Sequence, residues 1–273
     1  MNIAILGCGY VGVAAARHWR DAGHHVTATT TSPERVSELE AIASRVELVQ
    51  GNNPDDLTRL LQGQDTLVMS VASKGRASYK SVYLDTAKTL VSVLPDVPQL
   101  RQIIYTGSGS VYGNWGGGWV NETTPPQPTM ENYEILVETE QTLLNAANDD
   151  LRVCILRLGG IYGPGREIDR IYRHWAGQTR PGDGNRPSNW IHLDDIVGAM
   201  AFANDQHLDG IYNVVDDDHP PTREVVEAVC QTYNLPPVTW DGSEPTTVRY
   251  SGKLSNQKIK DAGYQLIHPH RII

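Results

Sequence analysis

NIAILGCGYVG, residues 2–12, is the stretch on which the reading of the whole chain turns. A short apolar run leads into Gly7, Gly9 and Gly12 in a G-x-G-x-x-G spacing, and a helical pattern begins near Tyr10. Glycines so spaced after a strand allow a tight turn and close backbone approach, while free N–H groups at the helix end face a pyrophosphate. The alternative is a glycine-rich turn with no ligand. Further strand and helix patterns follow at once, so the setting favours dinucleotide binding by Gly7, Gly9, Tyr10, Val11 and Gly12.

The same pattern continues through HHVTAT (24–29), VELV (46–49), DTLVMSV (65–71), RQIIYT (101–106) and LRVCILRL (151–158). Near-continuous hydrophobic strands separated by helices indicate a parallel sheet covered on both faces. The expected fold class is therefore α/β, a Rossmann-type doubly wound parallel sheet with a small C-terminal substrate lobe. The dinucleotide-binding domain is expected over 1–158. NWIHL (189–193) and GIYNVV (210–215) should return to the sheet or its edge, so that 189–215 rejoins that domain. Gly and Pro cluster in GGIYGPGR and RPGDGNRP, which assigns 159–188 and 216–273 to the smaller lobe.

The second strand ends in Thr29, Thr30, Thr31 and Ser32, where an NAD-binding domain would carry a carboxylate for the ribose 2′-OH. Nothing there repels a 2′-phosphate. Thr30, Thr31, Ser32 and Arg35, at the start of the next helix, can accept one, so the expected cofactor is NADP in preference to NAD. Ser32 and Pro33 also read simply as a helix cap and first turn. Asn52, after the third strand, is the expected adenine neighbour, and Val71, Ala72 and Ser73, after the fourth, should line the cofactor.

Bulk composition narrows the partners. The 273 residues are 40% hydrophobic, with no apolar run near the ~20 residues a bilayer span needs. A formal charge of −9 argues against nucleic acid, whose phosphates call for a basic surface. Cys8, Cys154 and Cys230 fit no metal or redox spacing and read as small buried hydrophobes in a reducing cytoplasm. A soluble, cytoplasmic protein with a small-molecule partner and no metal is expected.

YTGSGSVYG (105–113), LRLGGIYGPGR (156–166) and NWIHLDDI (189–196), in this order after a dinucleotide loop, resemble the extended short-chain dehydrogenase/reductase superfamily, specifically its NAD-dependent epimerase/dehydratase family. The resemblance spans nearly the whole chain. It implies that Ser108 polarises a substrate carbonyl or hydroxyl and that Tyr133 is the general acid/base. It also implies a lysine four residues after the tyrosine, and Val137 stands there. Positions i and i+4 share a helix face, so that lysine would have set an ammonium beside the phenol. The tighter glycine loop and the short chain depart from the extended pattern as well. Together these features resemble atypical members in which the dinucleotide fold persists while the Tyr/Lys pair is altered. Lys74, Lys80 and Lys88 lie in other segments.

The remaining candidates follow from position. Ser110 sits with Ser108 at the carboxyl edge of the sheet, where open α/β folds bind ligands. Gly160 and Ile161 should lie near the nicotinamide, and Arg166 can meet an anionic substrate group. His192 reads first as a structural residue and otherwise as a substrate contact, with Asp194 or Asp195 capping the following helix. Trp115 and Trp119 flank a Gly-Gly-Gly run over the expected pocket. The leading reading is an NAD(P)-binding oxidoreductase or epimerase-like enzyme acting on a hydroxyl or carbonyl of a small polar metabolite such as a nucleotide sugar. A non-catalytic NAD(P)-binding sensor or scaffold is the second, and a homodimer is open under either. Sugar-nucleotide dehydrogenases whose start resembles GCGYVG fit less well, since they need a catalytic cysteine and a longer chain.

Overall fold

The computed structural model describes residues 1–73, 75, 78–243 and 250–273, so Lys74 lies outside the described residues. In chain order the elements are β1 (Asn2–Leu6), α1 (Tyr10–Asp21), β2 (His25–Thr30), α2 (Val36–Glu40), β3 (Arg45–Leu48), α3 (Pro54–Leu61), β4 (Thr66–Met69), α4 (Thr86–Val93) and β5 (Gln102–Ser108). There follow β6 (Asn114–Val120), α5 (Glu131–Leu144), β7 (Arg152–Leu158), β8 (Gly160–Tyr162), α6 (Ile168–Tyr172), β9 (Thr179–Arg180) and β10 (Trp190–His192). The last are α7 (Leu193–Asp205), β11 (Gly210–Val214), α8 (Thr222–Thr232), β12 (Thr239–Trp240), β13 (Ser251–Leu254) and α9 (Gln257–Asp261).

Seven strands form the central parallel sheet in the order β11-β7-β5-β4-β1-β2-β3. The chain winds outward from β1 to β3, then returns to place β4 on the other side of β1, with Leu6 opposite Met69. That reversal makes the carboxyl ends of β1 and β4 the topological switch point, the place where such sheets bind ligands. The strand interiors are apolar because both faces are covered: on one, Ala4, Leu6, Leu67, Met69, Ile103, Tyr105, Val153 and Ile155 pack with Leu57, Leu60 and Leu61 of α3 and Leu90 of α4, and the alternate residues Ile3, Ile5, Val68 and Ile104 are buried as well. Local chemistry sets the helix starts. Asn53 Oδ1 accepts the N–H groups of Asp55 and Asp56 at 3.0 and 3.3 Å ahead of α3, with Pro54 in its first turn.

The chain divides into two compact units. The first comprises Met1–Ser108, Glu131–Arg157 and Val197–Tyr212 and holds the glycine loop, Ser108 and α5. The second comprises Gly109–Met130, Leu158–Ile196 and Asn213–Ile273. Two features differ from the sequence expectation. Residues 109–130 fall in the second unit because β6 pairs with β13, a non-local partner that no local pattern reveals. Trp190–His192 pairs with β8 instead of the central sheet, Trp190 opposite Gly160 and His192 opposite Tyr162. Gly160 is needed there, since a Cβ would lie 2.8 Å from the Trp190 ring.

Around that pair the second unit has its own core of Tyr162, Ile168, Tyr172, Trp190, Val225, Val226, Val229 and Cys230. Asn189 joins β10 to β13 by donating to the Gly252 carbonyl and accepting the Leu254 N–H, both at 2.8 Å. No helix among the described residues is long and apolar enough to cross a membrane.

Candidate cofactor and active site

The glycine loop is held by its neighbours as well as by its own sequence. The buried Thr29 Oγ1 accepts the Gly7 N–H and donates to the Ile5 carbonyl, each at 3.0 Å, and the Cys8 N–H reaches the Thr29 carbonyl at 3.2 Å. Gly7 has φ +98°, and a Cβ there would lie 2.6 Å from the Ser70 carbonyl oxygen at the end of β4. A Cβ on Gly12 would lie 2.3 Å from the Gly7 carbonyl oxygen. Gly9 differs from both: its φ is −82° and, among the described residues, nothing lies within 4 Å of where its Cβ would point. Two glycines therefore permit the fold of the loop, while the third leaves the space at the N-terminus of α1 open. A dinucleotide pyrophosphate fits that arrangement, because the helix end supplies N–H donors and a positive dipole to the cleared space.

Tyr10 and Val11 form the first turn of α1, as the spacing predicts. At the end of β2, Thr30 Oγ1 accepts the Ser32 N–H at 3.1 Å and Thr31 is exposed. Ser32 precedes a 3-10 turn with Pro33 in its first position, yet its side chain makes no capping bond. Arg35 leaves that turn and donates from Nη1 to the Cys8 carbonyl at 2.7 Å, so a guanidinium lies against the glycine loop. Its other nitrogens meet Glu38 at 3.3 and 3.4 Å. Burial pushes the Cys8 thiol up to about 11, consistent with a packing role. All three cysteines are free and buried.

Val71 and Ser73 are half-buried after β4 and Ala72 is exposed. The Ser73 hydroxyl donates to the Gly75 carbonyl at 2.6 Å. Asn52 is exposed in the turn before α3, where its neighbour Asn53 does the capping.

Ser108 closes β5 and is half-buried; Tyr133, also half-buried, stands in the first turn of α5. The orientation of α5 is set by Glu140, seven residues after Tyr133 and so on the same helix face. Glu140 forms a buried ion pair with Arg157 of β7, Oε2 to Nη2 at 2.7 Å, with each side chain 3% exposed. Gly107 of β5 makes room for it, since a Cβ there would lie 2.9 Å from Glu140 Oε1. Burial pushes the Glu140 carboxyl up, and Arg157 opposes that shift.

Val137 is half-buried in the position where the resemblance requires lysine. Lys88 on α4 is committed to Glu138 at 2.8 Å, in an exposed pair one position beyond Val137. Lys80 is exposed ahead of α4. Phenols gather nearby instead: Tyr79 and Tyr83 have ring centroids 4.6 Å apart, and burial, with Tyr83 and Tyr133 close by, pushes Tyr79 up to about 12. This grouping was missed in the sequence, although Tyr79 and Tyr83 stand at the i, i+4 spacing that puts both on one helix face.

Within the second unit, Ser110 lies in a 3-10 turn whose carbonyl accepts the Gly113 N–H at 3.2 Å. The Trp115 indole N–H donates to the Tyr112 carbonyl at 2.8 Å, while Trp119 is 64% exposed and stacks edge-on with His219. Gly160 and Ile161 lie in β8, and Arg166 is exposed at a turn closed by its N–H to the Gly163 carbonyl at 2.9 Å. His192 is buried, and its Nδ1 accepts the Asp194 N–H at 3.2 Å. Asp195, expected as a helix cap, is instead wholly buried and binds the C-terminal segment, accepting N–H groups from Ile267 at 2.6 Å and His268 at 2.9 Å. Its partners lie more than seventy residues away, beyond the reach of a capping pattern.

A parallel doubly wound sheet with a glycine loop at its switch point defines the class, a Rossmann-type dinucleotide-binding protein. The sequence profile of the NAD-dependent epimerase/dehydratase family matches residues 3–214, and the chain belongs to that family. It is 32% identical over 243 residues to protein YeeZ of Escherichia coli K12, covering 86% of this chain and 85% of that one. A functionally unknown conserved protein from Silicibacter pomeroyi has a similar structure, with a TM-score of 0.78 at 25% identity over 98% of this chain and 94% of that one. DesIV, the dTDP-glucose 4,6-dehydratase of Streptomyces venezuelae with NAD bound, gives a TM-score of 0.81 at 18% identity over 97% and 92% of the two chains.

Proposed function

We propose that this protein is an NADP-preferring oxidoreductase or epimerase-like enzyme acting on a hydroxyl or carbonyl of a small polar metabolite, with nucleotide sugars as the substrate class to test first. The observation that carries the reading is the open space at Gly9, kept clear at the N-terminus of α1 by a loop that Thr29 and Ser70 lock in place. Gly7, Gly9, Tyr10, Val11 and Gly12 would hold the pyrophosphate, with Val71, Ala72, Ser73 and Asn52 along the remaining cofactor and Gly160 and Ile161 toward the nicotinamide. Arg35 supports the NADP preference. A 2′-phosphate would replace the long contacts to Glu38 with charge-assisted bonds to a guanidinium already fixed on the Cys8 carbonyl. The nicotinamide, when bound, supplies a hydride donor or acceptor.

The chain's own groups handle orientation and the proton. Ser108 orients the reacting oxygen by hydrogen bonding, and Tyr133 exchanges a proton with it. Without a lysine at position 137, Tyr133 works beside Tyr79, which like any phenol is an O–H donor at neutral pH and is held so further into alkaline solution by its burial. Ser110, Trp115, Arg166 and His192 remain the proposed substrate contacts. The family is named for its NAD dependence, DesIV holds NAD, and its action on dTDP-glucose is the ground for placing nucleotide sugars first. Incubation with NADP(H) and a panel of nucleotide sugars, following reduced nicotinamide and sugar products, tests the proposal. Turnover of one compound that falls with Ser108→Ala supports it. Tight NADPH binding with no turnover across the panel and across simple carbonyl substrates favours the second reading, a sensor or scaffold, to which Val137 lends its weight.

A further inference from the structure

The C-terminal segment brings His268 back to the head of α7, where it meets two residues of the WIHLDD stretch. Asp194 Oδ2 lies 2.9 Å from His268 Nε2 and 3.3 Å from His192 Nδ1. One ligand atom from each of the three side chains lies within 4.8 Å of the others. The two imidazole rings have centroids 3.9 Å apart, and Tyr162 holds the buried His192 edge-on at 5.0 Å. Because His192 Nδ1 accepts the backbone N–H of Asp194, that nitrogen is unprotonated and the ring proton belongs on Nε2.

We propose that His192, Asp194 and His268 form a binding site for a zinc-class divalent cation that staples the C-terminal segment to the start of α7. Zinc–nitrogen and zinc–oxygen bonds of about 2.0–2.2 Å in a tetrahedral set put neighbouring ligand atoms about 3.3 Å apart. The two separations from Asp194 Oδ2, 2.9 and 3.3 Å, lie within a few tenths of that spacing. Two imidazoles and one carboxylate are borderline donors of the kind zinc takes, with the fourth position left to water. An ion also resolves a tension in the cluster. Two rings this close cannot both be protonated cheaply, and a single carboxylate oxygen serves both. Binding replaces the His268 proton and the long Asp194 N–H contact by metal–ligand bonds. The staple adds to the anchoring that Asp195 already gives through Tyr264, Ile267 and His268.

The test uses the full chain, stripped with chelator, and zinc or cobalt(II) alone as probe. Competition against a chromophoric chelator should give one zinc per chain with micromolar or tighter affinity. Cobalt should show the intense visible bands of four-coordinate geometry. Asp194→Asn and His268→Gln should each weaken binding at least about tenfold and remove the zinc-induced rise in Tm, while His174→Ala changes neither. Asp194→Asn is isosteric, so circular dichroism should find it folded. The proposal is overturned if the unaltered chain binds no stoichiometric zinc, in which case the group is a hydrogen-bonded His–Asp–His cluster. It is equally overturned if zinc binds but both substitutions leave the affinity unchanged.

Discussion

The glycine loop and helix α5 belong to the same unit, and they keep their family features to different degrees. In the loop every position is accounted for: Gly7 and Gly12 sit where a Cβ would strike backbone, Gly9 faces open space, and Thr29 ties the turn to the sheet. In α5 the scaffold is equally firm, fixed by the Glu140–Arg157 pair, yet the residue that should act on Tyr133 is a valine. The glycine loop can thus keep its dinucleotide-binding pattern while α5 departs from the family's. Glu140 and Arg157 fix the helix that carries Tyr133, and the groups gathered near that phenol are Tyr79 and Tyr83 where the family pattern has a lysine.

The sharpest way to break this contrast is to attack the anchor. Glu140→Ala leaves Arg157 buried without its carboxylate and is expected to destabilise the first unit by about 3–5 kcal/mol, read by chemical denaturation. A loss below about 1 kcal/mol would mean that α5 is held by apolar packing alone. Next in size is the proton. Once a substrate is known, Tyr133→Phe should lower kcat by ~10²–10⁴-fold, and a loss under tenfold would move the proton transfer elsewhere.

Restoring the family residue sharpens the comparison from the other side. Val137 is half-buried, so a lysine there can carry its ammonium toward solvent along the helix face it shares with Tyr133. The new positive charge favours phenolate, so the alkaline limb of the pH–rate profile of Val137→Lys should move down by about one unit. A stable variant with an unmoved limb, together with a silent Tyr133→Phe, would take the tyrosine out of the mechanism. The smallest expected effect belongs to cofactor choice. Thr31→Asp should weaken NADPH by about tenfold through repulsion of its 2′-phosphate and affect NADH less, as titration of each would show.

The difference between the two regions also decides what was legible in the sequence. Strand, glycine spacing and helix are local signals, so NIAILGCGYVG and the runs after it were enough for the parallel central sheet and its glycine loop. The absent lysine was equally visible, because position 137 is one helical turn from Tyr133. What escaped was non-local. β10 pairs with β8, β6 pairs with β13, and Asp195 binds a segment more than seventy residues away. Arg35 folding back onto the Cys8 carbonyl belongs to the same class, since the sequence placed the arginine near a 2′-phosphate without showing what fixes it.

The central claim is that Gly9 keeps a phosphate-binding space clear and that the site prefers NADPH. Gly9→Val tests it most directly, because among the described residues, its two chain neighbours aside, no atom lies within 4 Å of the new Cβ and the φ is permitted, so the fold should survive. Fluorescence titration of the unaltered chain should give tighter binding of NADPH than of NADH, and the variant, with its Tm within a few degrees of the parent, should lose both by more than about 100-fold. A folded Gly9→Val protein that binds NADPH as well as the parent would contradict the account, and tighter binding of NADH by the parent would overturn the cofactor preference.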